Sequence, residues 1–222
     1  MAQEIWTAVD EYVGGLLAPH DEALEATLRA SAGAELPAIQ VSPPQGKLLH
    51  LLAKTIGAAS ILEFGTLGGY STIWLGRALA DGGRLITLEA DPRYAEIAGR
   101  NIAAAGLAEL VDLRVGKALE LLPQLEAEGA DPFDLTFIDA DKVHTPDYFE
   151  WALEHSHPGS LIISDNVVRD GKLADADNEE PAIQAQRRFH EQLAAEPRVE
   201  ATTIQTVGGK GYDGFNIARI IS

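Results

Sequence analysis

The chain has 222 residues, 46% of them hydrophobic, and a formal net charge of -17 set by 34 acidic against 17 basic side chains. That charge excludes a nucleic-acid backbone or an anionic membrane surface as the main partner, since both would be repelled. The length suffices for one substantial core, and the absence of cysteine excludes disulfides and thiolate metal sites.

No apolar run approaches the roughly 18 residues of a membrane span, and the N-terminus lacks the basic start and apolar stretch of a signal peptide. A cytoplasmic α/β protein is expected, one domain over residues 1–222 with residues 1–40 as a helical cap or subunit-contact segment and 41–222 as the core.

In chain order, residues 3–17 predict a helix whose stripe is Ile5, Trp6, Val9, Tyr12, Val13 and Leu16, read as core or subunit packing. A second helix is expected over 21–32. Ser42-Pro43-Pro44-Gln45 then reads as a capping box with proline in the first turn, opening a third helix that Gly57 ends.

The segment 60–64 is a short apolar strand, followed by Gly65-Thr66-Leu67-Gly68-Gly69 and an amphipathic segment ending at Asp81-Gly82-Gly83. Strand, glycine turn and helix in that order mark the carboxyl edge of an open α/β sheet, where ligands bind. The spacing is neither the dinucleotide G-x-G-x-x-G nor a P-loop. Glu63, leaving the strand just before the glycines, would repel a pyrophosphate but suits a ligand carrying an ammonium and a sulfonium. The turn therefore reads as a site for S-adenosylmethionine (AdoMet).

Strands are expected at 84–89, 111–115, 133–138 and 160–164, alternating with helices after Asp91-Pro92, after Gly116-Lys117-Ala118 and over 178–195. Glu89 ends its strand where a doubly wound fold places an acid on a ribose hydroxyl pair, a device NAD proteins share. Two closing strands, 199–207 and 215–221, are joined by 208–214, a joint short enough to make them antiparallel.

Phe137-Ile138-Asp139-Ala140-Asp141-Lys142 and Ile163-Ser164-Asp165-Asn166 both put oxygen ligands where apolar strands emerge. Neighbouring strands lie about 4.8 Å apart, so Asp139, Asp165 and Asn166 can share one hard cation, Mg²⁺ above all. Asp and Asn also serve turns and caps, which is the plain alternative for each.

With these blocks in hand the chain resembles the cation-dependent, AdoMet-dependent O-methyltransferases, the family of catechol and caffeoyl-coenzyme A O-methyltransferases. The resemblance rests on Val41-Ser42-Pro43-Pro44-Gln45-Gly46-Lys47, on Glu63 through Ser71, on Phe137 through Lys142 and on Asp165-Asn166, in family order. It implies a Rossmann-like, seven-stranded, mostly parallel sheet with an antiparallel last strand and helices on both faces, and a homodimer. It implies that Val41, Glu63, Gly65, Thr66, Ser71, Glu89, Ala118 and Asp139 hold AdoMet. Asp139, Asp165 and Asn166 match the metal ligands, for Mg²⁺ with Mn²⁺ or Ca²⁺ as alternatives. Lys142, with Asp139, matches the group that deprotonates or steadies the reacting hydroxyl of a small vicinal dihydroxy aromatic acceptor.

An NAD-dependent oxidoreductase and an inert AdoMet-binding scaffold are the competing readings. Val143-His144-Thr145-Pro146 departs from the family pattern and reads as a surface loop. His155 and His157 read as complements of a helix dipole. Residues 167–177 read as a polar loop over the site that shapes acceptor choice. Trp6, Trp74 and Trp151 read as core or interface.

Overall fold

The computed structural model describes residues 1–19, 21–130 and 132–222. Its seven strands form one sheet in the order β3-β2-β1-β4-β5-β7-β6, with β1 Ser60–Phe64, β2 Arg84–Glu89, β3 Val111–Val115, β4 Phe133–Ile138, β5 Ser156–Asp165, β6 Val199–Gly208 and β7 Gly211–Ile220. The first five are parallel, and β7 runs antiparallel to both β5 and β6. The order turns back on itself between β1 and β4, which opens a crevice at their carboxyl ends.

Eight helices accompany the strands among the described residues: α1 Ala2–Leu17, α2 Glu22–Gly33, α3 Pro43–Ile56, α4 Tyr70–Gly76, α5 Pro92–Ala104, α6 Ala118–Ala127, α7 Thr145–Glu154 and α8 Pro181–Ala195. Core clusters fill both faces of the sheet. One joins Ile61, Ile73, Leu75, Leu85 and Phe137 beneath α3, α4 and α5. The other joins Leu62, Phe64, Leu122, Phe149 and Phe189 beneath α6, α7 and α8. Among the described residues no helix is long and apolar enough to cross a membrane.

Local chemistry explains the element starts. Asp21 caps α2 by accepting from Leu24 N at 3.0 Å, and Ser42 Oγ accepts from Gln45 N at 3.3 Å ahead of Pro43 and Pro44. Asp91 does the same for α5, and Gly57 ends α3 in the left-handed conformation.

Several expectations are corrected. α4 is not amphipathic: all seven residues from Tyr70 to Gly76 are buried, because α2, α3 and α5 pack around it. Of the two readings of the α1 stripe, core or subunit packing, the core one is not met: Ile5, Val9, Tyr12 and Leu16 are each more than half exposed, Trp6 and Val13 are partly buried, and Gly14 is the helix's buried residue. The closing strands are longer than expected, since Gly208 pairs with Gly211 and only Gly209-Lys210 makes the turn. Two-residue turns follow the twist of the strands they join, so the ladder continues to the turn. α8 begins at Pro181, after a turn in which Asn178 Oδ1 accepts from Glu180 N at 2.9 Å. Val143-His144-Thr145-Pro146 is no open loop but a 3-10 turn, Lys142–His144, running into α7. Its start is set by Asp141, which accepts from His144 N.

Candidate active site

An open cavity of about 1250 Å³ lies outside the carboxyl ends of β1, β2, β4 and β5. Val41, Gly65, Thr66, Ser71, Glu89 and Ala118 line one part of it, and Asp139, Lys142, Asp165 and Asn166 another. Ten of the eleven residues singled out from the sequence thus share one wall. Glu63 does not.

The two parts touch at Gly65. Asp139 N donates to Phe64 O at 2.8 Å, and Gly65 has φ +91° with its Cα so close to the next strand's end that a Cβ would stand 2.3 Å from Asp139 O. Only glycine tolerates both the backbone conformation and the approach. The ligand turn and the carboxylate loop are therefore one rigid unit.

Glu89 clasps the turn. Its Oε2 accepts from Thr66 N at 3.2 Å and Leu67 N at 2.8 Å, and its Oε1 from Asp91 N at 2.9 Å. Carboxylate oxygens have lone pairs left, and Glu89 still faces the cavity. Gly116, Lys117 and Ala118, at the start of α6, line the cavity near it.

Glu63 is wholly buried and sits behind the wall. Strand alternation turns it to the same face as Ile61, under α4, where its Oε2 accepts from Thr72 Oγ1 at 2.5 Å and Thr87 Oγ1 at 2.7 Å. Because Thr87 donates to the carboxylate, Thr66 Oγ1, 2.6 Å away, donates to Thr87. Burial pushes the Glu63 carboxyl up to about 7, against the hydroxyls of Ser71, Thr72 and Thr87. Ser71 lines the cavity, so the acid reaches it through that hydroxyl.

At the other end, Ile138 pairs with Ser164, which brings Asp139 beside Asp165 as the two strands finish. Asn166 follows with φ +55°, a conformation asparagine accepts more readily than most residues. Asp165 is buried, and burial with the neighbouring charge of Asp139 pushes its carboxyl well above the usual carboxylate range. Lys142 Nζ lies 2.7 Å from Asp139 Oδ1 and partly compensates the two acids. Among the described residues no three His, Cys, Asp or Glu gather as a metal cluster. The set here is two carboxylates and an amide oxygen, and two crowded carboxylates, one taken out of water, fit a hard divalent cation.

Three lining residues escaped the sequence reading. Gln45, in the first turn of α3, donates its amide to Asp165. Its place in the capping box was visible, but nothing local showed that α3 starts above β5. Asp141 accepts from Tyr148 Oη at 2.6 Å and lies 2.6 Å from His144 Nδ1, and Tyr148 stacks on Phe64 with centroids 4.8 Å apart. A Tyr seven residues after Asp141 becomes a signal only once the helix start at Thr145 is known. The remaining histidines split: His155 Nδ1 meets Trp151 O at 2.9 Å, as a helix-end residue should, whereas His157 Nε2 meets Asp134 Oδ1 at 2.9 Å inside the sheet.

The comparisons with known proteins agree with this geometry. A family model described as O-methyltransferase matches residues 17–219. The catechol O-methyltransferase of Niastella koreensis is 54% identical over 218 residues, covering 98% of this chain and 99% of that protein. The O-methyltransferase from Bacillus cereus, solved in complex with SAH, superposes with a TM-score of 0.97 at 56% identity and covers 98% of this chain and 99% of its own. TomG from Streptomyces achromogenes, an O-methyltransferase involved in tomaymycin synthesis solved with SAM, gives 0.97 at 50% identity with all of both chains covered. These likenesses set aside the NAD-dependent oxidoreductase. By sequence and by fold, the chain belongs to the O-methyltransferase family, AdoMet-dependent transferases built on this Rossmann-like sheet.

Proposed function

We infer that the chain methylates one hydroxyl of a small aromatic acceptor that carries two vicinal hydroxyls, with AdoMet as donor and a divalent cation, Mg²⁺ before Mn²⁺ or Ca²⁺, at the strand ends. The observation that carries this reading is the meeting of Asp139, Lys142, Asp165 and Asn166 on the wall that also holds the glycine turn. The catechol specificity in the name of the Niastella relative and the SAH and SAM of the two solved structures support it.

Val41, Gly65, Thr66, Ser71, Glu89 and Ala118 would hold the donor, with Glu63 acting through Ser71 rather than directly. Asp139, Asp165 and Asn166 would hold the cation. When bound, the donor supplies an electrophilic sulfonium methyl, and the cation supplies the Lewis acidity that eases loss of a phenolic proton. Lys142 stands beside Asp139 to steady charge on the acceptor oxygen or, when neutral, to take its proton. The junction at Gly65 fixes donor and acceptor ends relative to each other, so positioning supplies much of the rate. The chain is further read as a cytoplasmic homodimer that uses the exposed face of α1.

The test is turnover of AdoMet with catechol and with resorcinol, its meta isomer, read by product mass. Monomethylated catechol with resorcinol left unchanged is expected, because only vicinal hydroxyls reach one ion together. Equal methylation of both would overturn the chelation geometry. Donor binding without turnover on either would favour the inert scaffold.

A further inference from the structure

Gln186 is wholly buried, the one polar side chain among the buried residues of α8, which are otherwise Ile183, Ala185, Phe189 and Leu193. Cohesion between α7 and α8 does not need it, since Phe149 and Phe189 meet edge to face with ring centroids 5.4 Å apart. An amide taken out of water costs free energy unless its hydrogen bonds are made inside, and Gln186 Oε1 has no partner among the described residues. What this side chain does must therefore lie with its nitrogen.

Gln186 Nε2 donates to Thr145 Oγ1 at 2.9 Å and to Lys142 O at 3.3 Å. The sequence explains why Lys142 calls for such a donor. Four residues on, where an α-helix would return an N–H to that carbonyl, stands Pro146, which has none. The chain makes the 3-10 turn Lys142–His144 here, and α8 packs against it. Turned over, the amide would set its oxygen against the Lys142 carbonyl, so the nitrogen stays toward the turn. From the cavity side the same turn is capped by Asp141, which accepts from His144 N and from Tyr148 Oη. Lys142 is thus held at its backbone from both sides.

We propose that Gln186 is a positioning residue for methyl transfer, fixing through the Lys142 carbonyl the place from which that lysine reaches Asp139. The inference rests on the reading of Lys142 as the group that meets the reacting oxygen. An ammonium on a four-carbon stem has no rigidity of its own, so where the Cα stands decides where Nζ arrives. Here Nζ reaches Asp139 Oδ1 at 2.7 Å with the lysine side chain only 12% exposed. Gln186 does not line the cavity, so it acts on neither donor nor acceptor directly.

The experiment measures methyl transfer from AdoMet to catechol with Mg²⁺ in wild type, Gln186→Met, Lys142→Met and the double variant, at enzyme excess so that residual turnover is read by product mass. Methionine keeps the unbranched form of glutamine but has no N–H to give. Gln186→Met is expected to lower kcat at least about tenfold, with KM for catechol and calorimetric Kd for AdoMet within about twofold of wild type. In the Lys142→Met background the same substitution should cost less than about twofold, because the group it positions is gone. A residue that merely supports the fold would lower kcat by the same factor in both backgrounds. That result, or an unchanged kcat in Gln186→Met alone, would overturn the positioning role and leave the function reading standing. Undiminished kcat in Lys142→Met would overturn the reading of Lys142 along with it. AdoMet affinity reports that each variant is folded. Should Gln186→Met fail to fold, Thr145→Val removes the amide's other anchor: a smaller loss of kcat confined to chains that keep Lys142 is expected, and an equal loss in both backgrounds would overturn the proposal.

Discussion

Glu63 shows how a single residue's role depends on which way its strand turns it. The acid was legible as the last polar residue of an apolar strand, but its destination was not. β1 is buried on both faces, so no alternation of polar and apolar residues assigned a side. Asp139, Asp165 and Asn166 were readable because they come after the last strand residue or at it, where the chain must emerge at the ligand edge. Buried Glu63 also makes stability pH-dependent. Its carboxyl titrates near 7 when folded and near 4.5 when unfolded, so between those values the folded chain keeps a proton that the unfolded chain has lost. Stability from this group is present below pH 4.5 and is lost as pH rises through 7, by about 3 kcal/mol. Glu63→Gln should remove that slope: in urea unfolding, the variant gains about 3 kcal/mol on the wild type between pH 4.5 and pH 8. Parallel stability curves would contradict the assignment.

At the scale of elements, starts set by local chemistry were legible and relations between elements were not. Ser42 with two prolines announces α3, and Asp91-Pro92 announces α5, because a cap needs only neighbouring residues. The burial of α4 on every side, the length of the β6–β7 ladder and the placement of α3 over β5 depend on distant segments. That last placement sets Gln45 beside Asp165. Its amide supports Asp165 from the first turn of α3, where, on the proposed function, it would act as the outer partner that orients a metal ligand. Gln45→Ala should weaken Mg²⁺ binding about tenfold in calorimetric titration while leaving the fold intact. Unchanged affinity would reduce Gln45 to a wall residue.

For the whole molecule, the sheet order and the shared cavity follow from the alternation of strands and helices, which is why the architecture was readable from its first βα turn. The outer face of α1 was not. Its stripe satisfied the periodicity of a core helix, and periodicity cannot say whether the partner lies in the same chain. With Ile5 at 59%, Val9 at 54%, Tyr12 at 71% and Leu16 at 63% exposure, this is the face proposed above to pair with a second copy. Sedimentation should return twice the 23.7 kDa chain mass, and Val9→Asp should return one chain. Because each chain carries -17, association should tighten as salt screens the repulsion. A monomer at all salt concentrations would contradict the pairing.

On the proposed function, two carboxylates at adjacent strand ends hold the ion on which methyl transfer depends. The most direct measurement of that dependence is turnover of AdoMet with a catechol, run with Mg²⁺, with excess chelator and with Asp165→Ala. Turnover is expected with the ion, with a loss of at least about a hundredfold in chelator that added Mg²⁺ reverses, and a similar loss in Asp165→Ala that added Mg²⁺ does not reverse. Undiminished turnover in chelator would contradict that dependence and move the chemistry to Lys142 and to His144 beside Asp141.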